Sequence, residues 1–386
     1  MMPIKRFTLA AVFLVLLAPA RGWSQQKPAP EPPATDDQGP TSTNQIDVPR
    51  KKEPTEVAPP APAEEKVKNP DGEIFSLRVD VPIVNLNVNV VLDKTHQFVP
   101  GLKADNFLVL EDGVQQRVQS IRIAQTPITA VMLLEFAAPP PFYPYPTTPF
   151  TQDMLNASAT FLRTLKPEDY VAVVTYDIRT HILTDFTNNK DLIYDAVNSL
   201  QLPAFTDTNE FDALYETLDR MTRIEGRKYV VLISSGRDTF SKLTLDKILA
   251  KVKATPNVTI FTISTGGMMR QMSDTRGGMD GPARLDYLQA DNQMKTFAAM
   301  TGGLSFQPIF QGQLPDIFSQ INDSIRNQYI LTYRPTNAVN DGSFRKIKVL
   351  LVDNEGKPLK MVDEKGKQLK YSIIARDGYN AKLPVE

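Results

Sequence analysis

An apolar stretch in the middle of the chain begins at Ile128, ends at Glu135 and is followed by a proline run that reaches Pro141. A short apolar run without polar alternation is typical of a strand buried on both faces, as in a parallel sheet. The carboxylate at the end of this strand lies where open α/β sheets bind their ligands. We therefore predict that the chain is organised around this strand and the loop that leaves it.

Apolar runs and helical patterns alternate downstream of this strand. The predicted strands are Ala130–Leu134, Tyr170–Tyr176, Tyr229–Ile233, Val258–Ser264 and Leu304–Gln307. The predicted helices are Gln152–Leu165, Lys190–Leu200, Phe211–Ile224, Leu245–Lys253, Leu285–Met300 and Leu314–Asn327. Such alternation predicts parallel strands joined by right-handed crossovers. The Gly- and Met-rich segment Thr265–Pro282 is predicted to be a mobile loop.

Strand patterns also flank this α/β series on both sides. Before it, the predicted strands are Val79–Val81, Ile83–Leu92, Phe107–Leu110 and Val114–Ile123, with a tight hairpin at Glu111-Asp112-Gly113. After it, they are Gln328–Tyr333, Phe344–Val352 and Tyr371–Ala375. Neither set is large enough to bury an adequate core alone. The predicted fold class is therefore α/β: a doubly wound, Rossmann-like sheet inserted in a small β-sandwich formed by N- and C-terminal strands.

The N-terminus has the pattern of a secretory signal peptide. Lys5 and Arg6 precede the apolar run Phe7–Leu17, and the small residues at 18–20 form a cleavage pattern. Cleavage after Ala20 and cleavage after Ser24 both fit this pattern. The alternative to a cleaved signal peptide is an uncleaved membrane anchor. No second stretch is apolar and long enough to be predicted as transmembrane. We expect a secreted or periplasmic protein.

The remaining composition sets the domain boundaries. Residues 25–70 are rich in Pro, Ala, Glu and Lys and predict a disordered linker, either a functional spacer or a tail without a role. The predicted organisation is signal peptide 1–24, linker 25–70, N-terminal β unit 71–126, α/β domain 127–327 and C-terminal strands 328–386.

Composition and missing motifs exclude several functions. The formal net charge of −1 gives no reason to expect nucleic-acid binding, and the absence of cysteine excludes disulfides, thiolate metal sites and a Cys nucleophile. The only histidines are His96, predicted in a β turn, and His181, predicted in a loop. Ser234-Ser235-Gly236 therefore lacks an evident base for a serine nucleophile. Nucleotide phosphate-binding glycine motifs are also missing.

Four stretches together carry a resemblance to a known family. They are Gly101–Phe107 with Glu111-Asp112-Gly113, Arg227–Gly236, Gln328–Pro335 and Ala375–Tyr379. The α/β region resembles a von Willebrand factor A domain, and the span Phe75–Tyr379 resembles the secreted VWFA-related proteins common in acidobacteria. The resemblance implies a metal-ion-dependent adhesion site at the carboxyl edge of the sheet. Its three loops supply Asp-x-Ser-x-Ser, a Thr and an Asp to a hard cation such as magnesium.

The first and third loops depart from that pattern. Glu135 stands in the Asp position, Ala137 and Pro139 replace the two serines, and Ser235 replaces the Asp of the third loop. Thr208 falls where the Thr belongs. The metal ligands carried over are Glu135, Thr208 and Asp238, with Asp207 and Asp212 as other substitutes. We expect a degenerate site with no cofactor; weak magnesium binding is the alternative.

A proline-aromatic segment, Pro139–Pro146, follows at the same predicted edge. Its Phe142, Tyr143 and Tyr145 are predicted partner-binding residues, because rigid segments with aromatic side chains make good interface anchors. The alternative is a long loop packed on its own domain.

The favoured function is a secreted, non-enzymatic protein-interaction or adhesion module that binds a protein partner at the carboxyl edge of its sheet. The alternatives are a metal-dependent adhesion domain with non-standard ligands and a hydrolase, or accessory subunit of one, that uses carboxylates. The sequence leaves the oligomeric state open.

Overall fold

The computed structural model describes residues 66–68, 74–76, 82–124, 127–138, 158–200, 204–274 and 281–383. The described residues belong to one compact unit, Ile46–Glu386. The predicted signal peptide, strand Val79–Val81 and the partner-binding residues Phe142, Tyr143 and Tyr145 lie outside the described residues.

The strands, in chain order, are β1 (Lys66–Lys68), β2 (Ile74–Ser76), β3 (Val84–Leu92), β4 (Phe107–Glu111), β5 (Val114–Gln116), β6 (Val118–Ile123), β7 (Thr129–Glu135), β8 (Tyr170–Tyr176), β9 (Thr180–Thr187), β10 (Lys228–Ser234), β11 (Val258–Ser264), β12 (Ser305–Phe306), β13 (Tyr329–Tyr333), β14 (Phe344–Leu351), β15 (Met361–Val362), β16 (Gln368–Leu369), β17 (Tyr371–Ala375) and β18 (Gly378–Asn380).

The helices are α1, whose described part covers 158–164, then α2 (Lys190–Asn198), α3 (Glu210–Met221), α4 (Leu245–Ala254), α5 (Gly266–Asp274), α6 (Gly281–Thr301) and α7 (Leu314–Arg326). Two short 3₁₀ turns lie at Ala104–Asn106 and Gln311–Gln313. Within the described residues, no helix has the length and hydropathy needed to cross a membrane.

The central sheet has six strands in the order β12-β11-β10-β7-β8-β9, and all neighbouring pairs except β8–β9 are parallel. Alternate residues of β7 belong to different cores. Met132 and Leu134 pack in a core with residues of α1, α2 and α7, whereas Val131 and Leu133 pack in a core with residues of α3, α4 and α6. Helices therefore cover both faces, which explains why the central strands read as continuous apolar runs.

Two elements of the central domain differ from the sequence predictions. His181 was predicted in a loop, but it lies in β9, an antiparallel edge strand that interrupts the expected parallel series. The strand escapes detection because its burial is partial and its pairing with β8 contains register shifts. The loop predicted over Thr265–Pro282 is wrong for Gly266–Asp274, which forms α5. Two of the five glycines that suggested a loop, Gly266 and Gly267, are the first two residues of this helix, so most of α5 contains none.

Two antiparallel four-stranded sheets lie beside the central domain in the same unit. Their strand orders are β17-β3-β13-β6 and β18-β14-β4-β5, so each sheet combines strands from before and after the α/β series. A shared core includes Leu86, Val109, Leu331 and Val349. The predicted fold class is confirmed: the α/β sheet is inserted between the strands of a sandwich.

The N-terminal strands are divided between the two sheets in a way that the sequence pattern did not predict. The predicted strand Val114–Ile123 divides into β5 and β6, which belong to different sheets. The predicted hairpin turn joins β4 and β5, with φ of 49° at Asp112 and 85° at Gly113. Two successive positive φ values are typical of a type I′ turn, which matches the twist of paired strands.

Candidate functional site at the carboxyl edge of the sheet

The elements of the central domain bring several polar residues to one edge. β7 ends at Glu135, β10 at Ser234 and β11 at Ser264, while α3 begins at Glu210. Parallel strands end on the same side of the sheet, and open α/β sheets bind ligands outside these carboxyl ends. This edge is the candidate site.

The Glu135 carboxylate is turned towards the protein. The residue is 6 % exposed. Its Oε2 accepts hydrogen bonds from Ser234 Oγ at 2.7 Å, the Ser235 backbone N–H at 2.7 Å and Ser235 Oγ at 2.9 Å. Burial raises the pKa of Glu135, and these hydrogen bonds oppose the rise. Glu135, which stands in the Asp position of the first loop, therefore accepts hydrogen bonds from Ser234 and Ser235 of the third loop.

Glu210 is a second buried carboxyl at this edge, which the sequence analysis missed. It is fully buried at the start of α3, and its Oε2 lies within hydrogen-bond distance of Ser234 Oγ and 3.3 Å from Tyr176 Oη. Burial raises the pKa of Glu210 to about 8, and the neighbouring Glu135 adds to the rise. The available sequence signal was an acidic residue at the start of a helix. The predicted helix began one residue later, at Phe211, so Glu210 was not identified.

Ser234 lies at the centre of these contacts. Its Oγ lies within hydrogen-bond distance of both carboxyls and 2.7 Å from Tyr176 Oη, and it accepts from the Gly236 N–H at 2.8 Å. A hydroxyl carries a single proton and cannot donate to two carboxylates at once. A proton held on Glu210 lets Glu210 donate to Ser234 while Ser234 donates to Glu135 and the single Tyr176 proton goes to Glu210 Oε2. The raised pKa of Glu210 fits this arrangement.

Thr208 connects the second and third loops instead of facing outwards. Its hydroxyl donates to the Arg237 carbonyl, and its backbone N–H donates to Thr239 Oγ1 at 2.9 Å. The Thr208 carbonyl accepts from the N–H groups of Thr239 at 3.0 Å and Phe240 at 2.8 Å. All polar groups of this residue have protein partners.

Two of the three aspartates that were predicted as substitute metal ligands accept hydrogen bonds from the protein. Asp238 Oδ1 accepts from Ser241 Oγ at 2.6 Å and from the Phe211 N–H at 3.4 Å, so it caps the start of α3. Burial raises the pKa of Asp238. Asp212 accepts from the N–H groups of Lys242 and Leu243, both at 3.0 Å. Asp207 is exposed.

These residues do not fit a magnesium site. Magnesium requires oxygen donors free to point at a shared centre. The Thr208 hydroxyl, Glu135 Oε2 and Asp238 Oδ1 are committed to protein hydrogen bonds, and Ala137 supplies no oxygen from its side chain. No group of three or more His, Asp or Glu residues within the described ranges is arranged to hold a metal ion.

The histidines do not activate Ser234. His181 Nε2 lies 3.7 Å from Asp177 Oδ1 on an exposed side chain, and His96 lies in a turn with φ of 55°. The described partners of Ser234 Oγ are the two carboxyls, Tyr176 and the Gly236 N–H. The geometry of a serine nucleophile with a histidine base is therefore not present among these groups.

Aromatic side chains remain exposed around the buried carboxyls. Phe205 in the second loop is 47 % exposed and Phe240 in the third loop is 55 % exposed. The Phe205 carbonyl accepts from the Ala138 N–H at 2.6 Å, which joins the second loop to the end of the first. Exposed aromatic groups therefore lie beside the exposed Asp207 at this edge.

The fold and the site together define a class: an open, doubly wound α/β domain with a polar cluster at the carboxyl edge of its sheet. Residues 147–298 match the family model of the von Willebrand factor type A domain. The chain therefore contains a von Willebrand factor type A domain, which belongs to a family of protein-interaction and adhesion modules.

The solved structures that match the chain come from several organisms. The von Willebrand factor type A protein from Catenulispora acidiphila is 10% identical, with a TM-score of 0.40 and coverage of 78% of this chain and 75% of that one. The vWF domain of the type V pili tip protein Mfa5 from Porphyromonas gingivalis is 13% identical, with a TM-score of 0.41 and coverage of 52% and 96%.

Proximal thread matrix protein 1 from the mussel byssus is 12% identical, with a TM-score of 0.39 and coverage of 53% of this chain. The matched region spans about half of that protein, 49% of its length. Another structure of the mussel protein has a zinc-occupied MIDAS motif. No curated protein matches this sequence.

Proposed function

We propose that this protein is an exported, non-enzymatic interaction module that binds a protein partner at the carboxyl edge of its sheet without a metal ion. One observation carries the proposal: Glu135, Thr208 and Asp238 are bonded within the protein, while Phe205 and Phe240 beside them are exposed. Export is inferred from the signal-peptide pattern at residues 5–20.

An interface of this kind depends on aromatic anchors surrounded by a polar rim. Phe205 and Phe240 belong to loops joined through the backbone of Thr208, so they are held in fixed relation to each other. The proline-aromatic segment with Phe142, Tyr143 and Tyr145 follows Ala138 in the sequence, and we propose that it extends the same binding surface.

The test is partner capture by immobilised protein, followed by cross-linking and mass spectrometry. We expect the double variant Phe205→Ser/Phe240→Ser to lose the captured partner at an unchanged melting temperature, because both side chains are exposed. The triple Ser variant of Phe142, Tyr143 and Tyr145 should lose it as well. Tyr194→Ser, which removes an exposed aromatic side chain from α2, is the matched control and should retain capture. Equal capture by all variants would contradict the proposal.

Carboxylate catalysis is the competing function, and a raised pKa such as that of Glu210 often marks an active site. However, Glu210 is fully buried and Glu135 nearly so, which leaves a substrate no direct access to either. Turnover of an ester, glycoside or peptide substrate that disappears in Glu135→Gln would establish an enzyme instead. A metal-dependent adhesion domain is the other alternative, and a metal titration of the melting temperature tests it.

A further inference from the structure

We propose that one surface of the β-sandwich docks on an anionic lipid membrane. We call this surface the lysine face, and it consists of the outward-pointing side chains of β14, of residues 358–362 and of residues 368–372. The face belongs to the sandwich and not to the carboxyl edge of the central sheet. The inference therefore goes beyond the proposed function and does not depend on it.

Three neighbouring stretches of backbone form the lysine face. The Leu359 N–H donates to the Leu351 carbonyl at 3.0 Å, and Val352 is bridged to Pro358, so residues 358–362 run back beside the end of β14. The end of this segment is β15, which pairs with β16. β17 follows β16 and pairs with β3 of the other sheet. The face therefore extends from one sheet of the sandwich to the other.

Two turns join these stretches, and they are copies of one ten-residue pattern. Residues 352–361 and 362–371 share Val-Asp-x-x-Gly-Lys-x-Leu-Lys. In each turn an Asp Oδ1 accepts two backbone N–H groups at 2.8–2.9 Å, and the glycine has φ of 77° or 76°. Because Met361 pairs with Leu369, the preceding Lys360 lies opposite Lys370 on the neighbouring stretch. The repeat therefore brings two lysines side by side.

Alternation along the strands turns four lysines outwards. Lys346 and Lys348 alternate with buried apolar residues of β14. Lys360 and Lys370 are exposed, whereas the residues on either side of Lys370 and the two neighbours of Lys360 nearest the core are partly buried leucine, methionine and tyrosine. Successive residues of a strand point to opposite faces, so these lysines share the face directed away from the core.

The sequence interleaves these lysines with acidic residues, but the fold separates the two. Four acidic residues lie at the two turns: Asp353, Glu355, Asp363 and Glu364. Within the described ranges, no carboxylate oxygen lies within ion-pair distance of the four lysines on the strands. Asp112 and Asp93 border the face on its two sides. Positive charges therefore outnumber negative charges on this surface.

Apolar side chains lie among the lysines, and they favour a membrane over a soluble polyanion. Val362, which alternates with Lys360, is 61 % exposed. Leu108, Leu110 and Leu350 are partly exposed beside the lysines of β14. Binding to a bilayer surface increases with the apolar area buried as well as with the attraction to anionic lipids. A hydrated polyanion would gain only from the charges.

The type of cation also suits lipid headgroups. Lysine carries a compact charge on a flexible stem and requires no fixed partner geometry, in contrast to the planar fork of arginine. All four outward-pointing cations of the face are lysines. Mobile phosphates at a membrane surface offer charge without fixed geometry, so the face matches an anionic bilayer by charge complementarity.

Sedimentation with lipid vesicles tests the proposal. The chain from Gln25 onwards is used, since the apolar run Phe7–Leu17 would itself enter a bilayer. The compact unit begins at Ile46, so this shortening leaves it intact. We expect binding to vesicles of phosphatidylglycerol and phosphatidylcholine in equal parts and none to phosphatidylcholine alone. Binding should weaken as salt is added, because salt screens exposed charges.

Neutral substitutions on the lysine face should remove most of this binding. We expect Lys346→Gln/Lys348→Gln/Lys360→Gln/Lys370→Gln to weaken it by at least about tenfold, because each lysine near an anionic surface adds to the attraction. The corresponding Lys→Arg variant keeps the charges and should retain binding. The matched control changes the net charge equally by Lys→Gln at four exposed positions of the central domain: Lys166, Lys242, Lys247 and Lys295. This control should bind like the unaltered chain.

Three results would overturn the inference: no binding of the unaltered chain to the anionic vesicles, equal weakening by the control variant, or equal binding by the Lys→Gln variant of the face. Polygalacturonate, a soluble polyanion, provides a fourth. If it binds the unaltered chain as tightly as the vesicles do, the face belongs to a soluble polymer instead. Unchanged melting temperatures of all variants ensure that a loss of binding reports on the surface and not on folding.

Discussion

Ser234 shows how single residues determine the chemistry of the carboxyl edge. It connects Glu135 on β7, Tyr176 on β8 and Glu210 on α3 through one hydroxyl group. These partners lie between 24 and 99 residues away in the sequence. The network holds the Glu135 and Glu210 carboxyls in an internal arrangement around Ser234.

Removal of this hydroxyl should destabilise the protein. We expect Ser234→Ala to lower the free energy of unfolding by about 2–3 kcal/mol, because it leaves buried carboxyl and hydroxyl groups unpaired. Ser199→Ala is the matched control, since the Ser199 hydroxyl bonds only to the Ala196 carbonyl on the surface. Denaturant unfolding measures both variants. A loss at Ser234 no greater than that at Ser199 would show that the network does not hold the edge together.

The raised pKa of Glu210 predicts a stability that depends on pH. Folding raises this pKa from 4.5 to about 8, so the folded state keeps a proton that the unfolded state releases. The free energy of unfolding should therefore fall between these pH values, by at most about 1.4 kcal/mol per pH unit from this group. The contribution is fully present below 4.5 and is lost as the pH rises through 8.

Glu210→Gln should flatten that slope, because glutamine does not titrate. Glu216→Gln, on an exposed position of the same helix, should leave the slope unchanged. Urea unfolding at several pH values compares the two variants. Identical slopes in both would mean that Glu210 titrates normally in the folded protein.

Only part of the site could be predicted at the residue scale. Glu135 was identified because a carboxylate at the end of an apolar strand is visible in the sequence. Tyr176 and Glu210 were missed because nothing in their local sequence indicates that they face Ser234. The roles of Thr208 and Asp238 as internal hydrogen-bonding groups also depend on contacts between loops that only the folded chain brings together.

At the scale of elements, the connection from α6 to β12 is tightly constrained. Gly302 has φ of 77°, and the N–H groups of Gly302 and Gly303 bond to the carbonyls of Ala299 at 3.2 Å and Ala298 at 2.9 Å. This is a glycine-ended helix terminus. A Cβ on Gly303 would lie 2.0 Å from the Ile260 carbonyl oxygen of β11, so the chain has no room for a side chain there.

Gly303→Ala should therefore destabilise the protein by at least about 2 kcal/mol, because the backbone of β11 or the helix end must move. Gly281→Ala is the control, since a Cβ at Gly281 would meet no atom within 4 Å. Thermal unfolding should show a clear loss for the first variant and little change for the second. Comparable melting temperatures would contradict the close approach of α6 and β11.

The hydrophobic pattern of the sequence predicted the elements with strong periodicity but missed an element whose burial is partial. The predicted bounds of β8, β11 and β17 agree with the structure, since these strands have distinct apolar or alternating patterns. β9 was missed because an edge strand with one exposed side lacks a clear apolar run. α5 was missed because composition over a whole segment hid the short helix inside it.

At the scale of the molecule, the sandwich joins distant parts of the chain. Leu331 of β13 is fully buried and lies opposite Leu86 of β3 and Ile121 of β6. The sequence predicted this insertion because two strand sets were each too small to stand alone. It did not predict that β5 and β6 would join different sheets, since alternation shows which residues share a face but not which strands pair.

Leu331→Ala should lower the free energy of unfolding by about 2–5 kcal/mol, the usual cost of a cavity in a core. Amide hydrogen exchange should also quicken in β3 and β6, which precede the α/β domain. Val362→Ala, at an exposed position of β15, is the control. Faster exchange confined to β13 would show that the N-terminal strands do not depend on it.

The central claim is that the carboxyl edge works without a metal ion, and a metal titration tests it most directly. The melting temperature of the purified protein is measured with magnesium, manganese or calcium and with a chelator, since a ligand of the folded state raises it by mass action. We predict no shift at about millimolar metal, because the Thr208 hydroxyl, Glu135 Oε2 and Asp238 Oδ1 are occupied by protein hydrogen bonds. A saturable rise that Glu135→Ala or Thr208→Ala removes would contradict this and establish a metal-dependent adhesion site.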